Sequence, residues 1–188
     1  IDVLNINSAE QVSMLQESGG LEVFSLATGP VCMTPSSLDE TSPLANVQVR
    51  QAISLAVDRD SIAAARGFGI YTPAYQYVPD ISMAHLPDEY NLPAYDPEGA
   101  KALLAEAGYP DGFSTTLITQ PGVADRDATV AIQQMLEAVG IVCELEFPDA
   151  GGYSQLRANG WDGICVHGAR TFARVYSSFY LYFDKDYT

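Results

Sequence analysis

The sequence predicts an α/β fold with a mostly parallel or mixed sheet flanked by helices. Three short apolar runs, at 115–119, 141–147 and 163–167, have the length and β-branched content of buried strands. Amphipathic helical patterns separate these runs along the chain. Strand–helix–strand alternation is the pattern of parallel βαβ units, in which the helices cover the sheet faces.

Each predicted helix has a recognisable start and stop. Asp58 and Asp96 are placed as N-caps, and a proline follows Asp96 at the first helical position. Gly67, Gly108 and Gly140 follow the last periodic residue of three helices, where glycine ends a helix easily. The helices are predicted at 8–17, 49–57, 59–66, 97–107, 127–139 and 153–158. Extended segments are predicted at 21–26 and 31–34.

Charge and composition narrow the class of protein. Hydrophobic residues make up 47% and charged residues 18%, a balance that predicts a globular domain and excludes a disordered tail. The net charge of −15 repels phosphate backbones and anionic membrane surfaces, so nucleic acid is not an expected partner. No apolar run reaches the roughly 18–20 residues that a membrane-spanning helix needs.

The three cysteines do not form a metal-binding motif. Cys143 and Cys165 lie in apolar, strand-like runs, where a buried free thiol is the expected state. A Cys143–Cys165 disulfide in an oxidising compartment stays open at this point. The chain begins at Ile1 without a leader and stops soon after an aromatic run, and we expect it to be part of a longer protein.

Motifs of enzymes are missing from the sequence. Gly67 and Gly69 form a bare G-x-G that follows a helix, whereas phosphate binding needs strand, glycine loop and then helix. His85 and His167 are far apart and belong to no zinc motif. We therefore predict no catalytic residues, no cofactor and no metal site.

The candidate ligand-binding residues follow the last predicted strand, because ligands of open α/β sheets bind beyond the carboxyl ends of the strands. This segment combines donors, positive charge and aromatic rings. Its candidates are His167, Arg170, Phe172, Arg174 and Tyr176. The alternative is a surface loop whose arginines pair with the surplus acids.

Two further candidates, Tyr71 and Tyr75, lie in a segment rich in proline and tyrosine at 67–93. Ordered segments of this length usually serve a function or wrap a surface. The two tyrosines are candidates for the aromatic walls of a ligand site. The alternative is that they pack over the sheet, which is the more frequent role of such rings.

Several stretches, in order and in register, resemble the family 5 extracellular solute-binding proteins, which include oligopeptide- and dipeptide-binding proteins. The matching stretches are 49–53, 56–59, 95–113, 138–141 and 161–162. The resemblance implies that 1–188 is a single α/β domain. It would be the second, C-terminal-half lobe of a two-lobed periplasmic-binding-protein-like fold, with the first lobe absent from this chain.

The resemblance also implies a function. The implied function is that of the substrate-binding component of an ABC importer, which captures a peptide or similar solute and delivers it to the permease. Such a protein is extracytoplasmic, either periplasmic or a cell-surface lipoprotein, with its anchor outside this chain. The same scaffold binds metal chelates, opines or sugars, and these stay open as ligands; an enzyme domain and a self-sufficient interaction module rank lower.

One departure from the family pattern concerns the ligand. Peptide binders of the family carry Trp and Asp in the loop after the last strand, and that Asp holds the amino terminus of the peptide. Here the loop runs from Gly168 to Phe172 without an acid, and the next acid is Asp184. The amino-terminus anchor is therefore not carried over, and Arg170 suits an anionic group instead.

Overall fold

The computed structural model describes residues 8–19, 22–24, 29–78, 82–123 and 126–169. The strands are β1 (Val31–Pro35), β2 (Phe113–Thr119), β3 (Ile141–Glu146) and β4 (Ile164–Gly168). The helices are α1 (Ala9–Ser18), α2 (Val47–Ala56), α3 (Arg59–Arg66), α4 (Pro97–Glu106), α5 (Arg126–Glu137) and α6 (Ala150–Asn159). Short 3-10 turns occur at Pro43–Ala45 and Asp88–Tyr90.

The four strands form one mixed sheet in the order β1-β4-β2-β3. β2 pairs in parallel with β3 on one side and with β4 on the other, while β1 pairs antiparallel with β4. The α/β fold and the parallel βαβ units predicted from the sequence are therefore confirmed, and the sheet is the mixed one of the two expected kinds.

One face of the sheet carries the hydrophobic core. Leu117 of β2, Ile141 of β3 and Val166 of β4 are fully buried there. Helices α2, α4 and α5 pack onto this face through side chains of the same cluster, such as Ala52 and Leu104. Alternation along each strand therefore assigns the intervening residues to the opposite face.

Helix α6 covers part of that second face. Ile118 and Cys165 are register partners on it, and both are buried. The Tyr153 hydroxyl of α6 lies 3.8 Å from the Cys165 Sγ, which places the helix over β4 and the second half of β2. Helices thus pack on both faces, as the sequence predicts.

The caps predicted at Asp58 and Asp96 are confirmed by hydrogen bonds at the helix starts, and Ser8 caps α1 in the same way. The side chains of Ser8, Asp58 and Asp96 accept from backbone amides of the first turns of α1, α3 and α4. Each bond satisfies an amide that the helix itself leaves without a partner.

One prediction is not confirmed, and one question that the sequence left open is settled. Within the predicted strand 21–26, the described residues 22–24 form no strand, and the rest lie outside the described residues. A Cys143–Cys165 disulfide is excluded, because β2 separates their strands by two strand spacings, roughly 9–10 Å.

The start of the β2–β3 pair depends on two glycines. Gly112 has φ +77°, and a Cβ atom there would lie 1.8 Å from the carbonyl oxygen of Gly140. The same Gly140 carbonyl accepts a hydrogen bond from the amide of Phe113, the first residue of β2. The close approach of the two backbones therefore sets the register in which β2 and β3 begin.

We predict that Gly112→Ala destabilises the chain by about 2–5 kcal/mol, since it adds left-handed strain to a backbone clash. Gly69→Ala is the matched control, because Gly69 has φ +74° and an added Cβ there would meet no atom within 4 Å. The control should cost only about 1–2 kcal/mol. Urea unfolding of both variants measures the difference, and equal losses would contradict the role of the Gly112–Gly140 contact.

Candidate functional site

The carboxyl ends of the three parallel strands lie at one edge of the sheet. Gln120 follows β2, Phe147 follows β3 and Ala169 follows β4. Since β2 lies between β4 and β3, Gln120 occupies the middle of this edge. Ligands of open α/β sheets bind at such an edge, so these residues and the segments that follow them make up the candidate site.

Gln120 ties the end of β4 to the end of β2. Its side-chain oxygen accepts a hydrogen bond from the Gly168 backbone amide at 3.1 Å, and its backbone amide donates to the Val166 carbonyl at 2.9 Å. On the other side of β4, the Ala169 amide donates to the Pro30 carbonyl at 2.9 Å. The end of β4, which directly precedes Arg170, is therefore held by hydrogen bonds on both sides.

His167 lies one residue inside this edge and is fully buried. It shares the second face of the sheet with Thr34 of β1, and its Nε2 lies 2.7 Å from the Thr34 Oγ1. The structure thus places His167 as a link between β4 and β1. Contact between His167 and a ligand stays a prediction.

Burial also decides the protonation of His167. Loss of water lowers the pKa of His167 below its ordinary value, and the positive charge of Arg157 lowers it further. A hydrogen bond with the Gly168 backbone acts in the opposite direction but is weaker than burial. The ring is therefore neutral at pH 7.

Sequence reasoning missed a contact between Arg126 and Phe147 at this edge. The guanidinium of Arg126, the first residue of α5, stacks over the Phe147 ring at 4.3 Å from its centroid. A stacked guanidinium keeps its edge N–H groups available for a carboxylate. Applying the strand-end rule to β2 and β3 as well as to β4 would have drawn attention to Gln120 and Phe147.

Tyr71 lies on the side of the domain where this edge is found. Arg66, at the end of α3, forms an ion pair at 3.1 Å with Asp127 in the first turn of α5. Tyr71 donates its backbone amide to the carbonyl of Gly67, directly after α3, and its side chain is half exposed. Tyr71 is thus close to the start of α5, and its role toward a ligand stays a prediction.

Tyr75 contacts the opposite end of α3, at its first residues. Its hydroxyl donates to the carboxylate of Asp60, and the guanidinium of Arg59 lies 5.8 Å from its ring centroid. Helix α3 has eight residues, so its two ends are about 12 Å apart. The structure gives Tyr75 a packing role here, while a role at the ligand stays a prediction.

The remaining predicted site residues lie outside the described residues, and they stay predictions. They are Arg170, Phe172, Arg174 and Tyr176.

Metal or thiol chemistry has no support within the described part of the chain. Those residues contain no group of three or more His, Cys, Asp or Glu side chains that could hold a metal ion. Burial raises the pKa of the Cys32 thiol to about 12 and that of Cys143 to about 11, so neither is a thiolate at neutral pH. In the same ranges no helix has the length and apolar character needed to span a bilayer.

A model of the bacterial extracellular solute-binding proteins, family 5 (middle region), matches residues 1–188. The chain belongs to this family, as its sequence motifs predict.

Two relatives illustrate the match. The glutathione-binding protein GsiB of Salmonella choleraesuis is 35% identical over 144 residues, which are 76% of this chain and 27% of GsiB. The structure of AgaA from A. tumefaciens, in complex with agropinic acid, is 33% identical with a TM-score of 0.65 and covers 76% of this chain and 29% of AgaA. The chain thus spans about a quarter of the length of the relatives it matches.

A third structure supports the fold alone. MoaA from A. tumefaciens, solved with mannopinic acid, has a TM-score of 0.76 over 94% of this chain and 35% of MoaA, at 23% identity. The similarity extends over nearly the whole chain, including the α/β core described above.

We predict that His167→Gln changes the pH dependence of stability. Below about pH 6.5 the unfolded histidine takes up a proton that the buried ring resists, so the wild type loses up to about 1.4 kcal/mol per pH unit there. The loss continues until the pH reaches the lowered pKa of the folded state. Glutamine does not titrate, so this contribution vanishes in the variant.

The measurement is the free energy of unfolding of both proteins in urea between pH 7.5 and pH 5. The contributions of carboxylates are common to both proteins and cancel in the difference. The stability of the wild type should fall relative to that of the variant as the pH decreases. Parallel profiles would show that His167 is not held neutral by burial.

Proposed function

We propose that this chain forms most of the second lobe of a two-lobed solute-binding protein that serves an ABC importer. The protein captures a solute between its lobes outside the cytoplasm and delivers it to the permease. The observation that carries this proposal is the family match over residues 1–188. Relatives of at least 33% identity named for, or solved with, a bound solute support it.

Closure of the two lobes is the mechanism that this architecture allows. A ligand that contacts both lobes stabilises the closed arrangement by the difference in its affinity for the two states. The part played by this chain is a rigid edge, because Gln120 fixes β4 to β2 and the stacked Arg126–Phe147 pair lies beside them. Rigid strand ends lower the entropic cost of holding a ligand.

The chemistry of the edge favours a ligand with an anionic group. Arg126 is at the edge, and the sequence places Arg170 and Arg174 just beyond β4. GsiB is named for glutathione and AgaA was solved with agropinic acid, and both compounds carry carboxylates. We propose a small acidic solute, either a peptide or an opine-like compound, over a metal chelate or a neutral sugar.

Location in the periplasm or on the cell surface as a lipoprotein is part of this proposal, and the family match supports a place outside the cytoplasm. Mass spectrometry of small molecules that co-purify with the complete protein is the direct test. Recovery of an acidic solute is expected, whereas turnover of substrates without tight binding would favour an enzyme.

We predict that the 188-residue chain alone binds glutathione or agropinic acid weakly or not at all, because one lobe makes only part of the contacts. Isothermal titration calorimetry should give a Kd weaker than micromolar. A micromolar Kd corresponds to about 8 kcal/mol of binding free energy. Such an affinity from this chain alone would contradict a ligand shared between two lobes.

We predict that Arg170→Ala in the complete protein weakens binding of the co-purified solute by at least about tenfold, since a charge-assisted pair contributes about 1.5–3 kcal/mol. Lys101→Ala is the control, because Lys101 is an exposed cation paired with Glu98 on the outer surface of α4. Calorimetry compares the two variants. Unchanged affinity in Arg170→Ala would remove this arginine from the ligand site.

A further inference from the structure

Part of the second sheet face is not covered by the described helices. Ser114 of β2 and Val142 and Glu144 of β3 alternate with core residues, so they lie on the face opposite α2, α4 and α5. All three are exposed, and the apolar Val142 side chain is 55% exposed. Helix α6 covers the β4 side of this face, and no helix of the described residues covers the first halves of β2 and β3.

This area is the floor of a groove of about 570 Å³. Its rim is formed by the segment before α2 and by the turn before β4, which contribute Asp39 and Asp162. With Glu144 these residues give the groove three carboxylates, and no Lys, Arg or His is among the described residues that line it. The groove is therefore strongly negative around an apolar centre at Val142.

A face that no described helix covers is unusual for parallel strands. Parallel sheets occur almost only with both faces covered, because their crossover connections place other elements on each side. β2 and β3 are paired in parallel, and β3 is an edge strand with an exposed valine. This arrangement points to an occupant for the groove in the functional protein.

We propose that the groove is the seat of a polypeptide segment of the complete binding protein outside residues 1–188, with basic side chains around an apolar centre. Lysine or arginine side chains of this segment pair with Asp39, Glu144 and Asp162, and its apolar residues cover Val142. The proposal rests on the chain being part of a longer protein, as its match to only 27% of the length of GsiB suggests. A second copy of this chain fits poorly, because each copy carries −15.

A thiol-labelling experiment tests the occupancy of the groove. Val142→Cys is made in both the 188-residue chain and the complete protein, together with Cys32→Ser to remove the half-buried native thiol. Met14→Cys on α1 is the control, because Met14 has a similar exposure of 65% and does not line the groove. Maleimide labelling of Val142→Cys, relative to the control, should be at least tenfold slower in the complete protein.

Equal relative rates in the two proteins would overturn the proposal. Protection that appears in the complete protein only when the co-purified solute is added would assign the groove to the ligand and also overturn it. Protection in the short chain that increases with its concentration would favour a second copy. None of these readouts depends on transport, so failure here is separate from failure of the proposed function.

A charge-reversal experiment tests the chemistry of the occupant. Glu144→Lys with Asp162→Lys should lower the Tm of the complete protein by at least about 4 °C, because like charges then meet in the groove. In the 188-residue chain the same pair relieves self-repulsion and should not lower the Tm.

The matched control is Glu17→Lys with Glu89→Lys, which makes the same change of net charge at exposed acids outside the groove. It should leave the Tm of both proteins unchanged or higher. An equal decrease for the groove pair in the short chain and in the complete protein would show that the effect is local, and the proposed basic occupant would be wrong.

Discussion

Parallel pairing of β2 with both of its neighbours is the constraint on which the rest of the structure depends. It places the carboxyl ends of three strands at one edge and their connecting helices on the faces. The contact between Gly112 and Gly140 sets the register on the β3 side. A shift of one residue between the two strands would turn either Leu117 of β2 or Ile141 of β3 out of the core, so the helices and the candidate site both depend on this register.

The base of the candidate site is fixed by contacts between the strand ends. Gln120 and the buried His167 hold β4 between its neighbours, and the Arg126–Phe147 pair lies at the end of β3. These contacts are made within the chain itself. Their common effect is to present the strand ends in one fixed arrangement, as the proposed closure over a solute requires.

The two sheet faces have different roles. The core face is completed within the chain, because α2, α4 and α5 bury Leu117, Ile141 and Val166 against it. On the second face the described residues include one covering helix, α6 on the β4 side, and the rest of this face forms the acidic groove. The chain therefore combines a stable core with the acidic surface for which an occupant is proposed above.

Local sequence determined the elements and the family of this protein. Caps such as Asp58 and Asp96, stop signals such as Gly67, and periodic apolar residues act within one helix or one strand, so they are readable without a fold. Tertiary structure decided the features that depend on contacts between elements distant in sequence. Four features each join residues from separate elements. They are the antiparallel placement of β1, the burial of His167 beside Thr34, the hydrogen bond between Tyr75 and Asp60, and the Arg126–Phe147 stack. Their distances are set by packing and register, which no local pattern encodes.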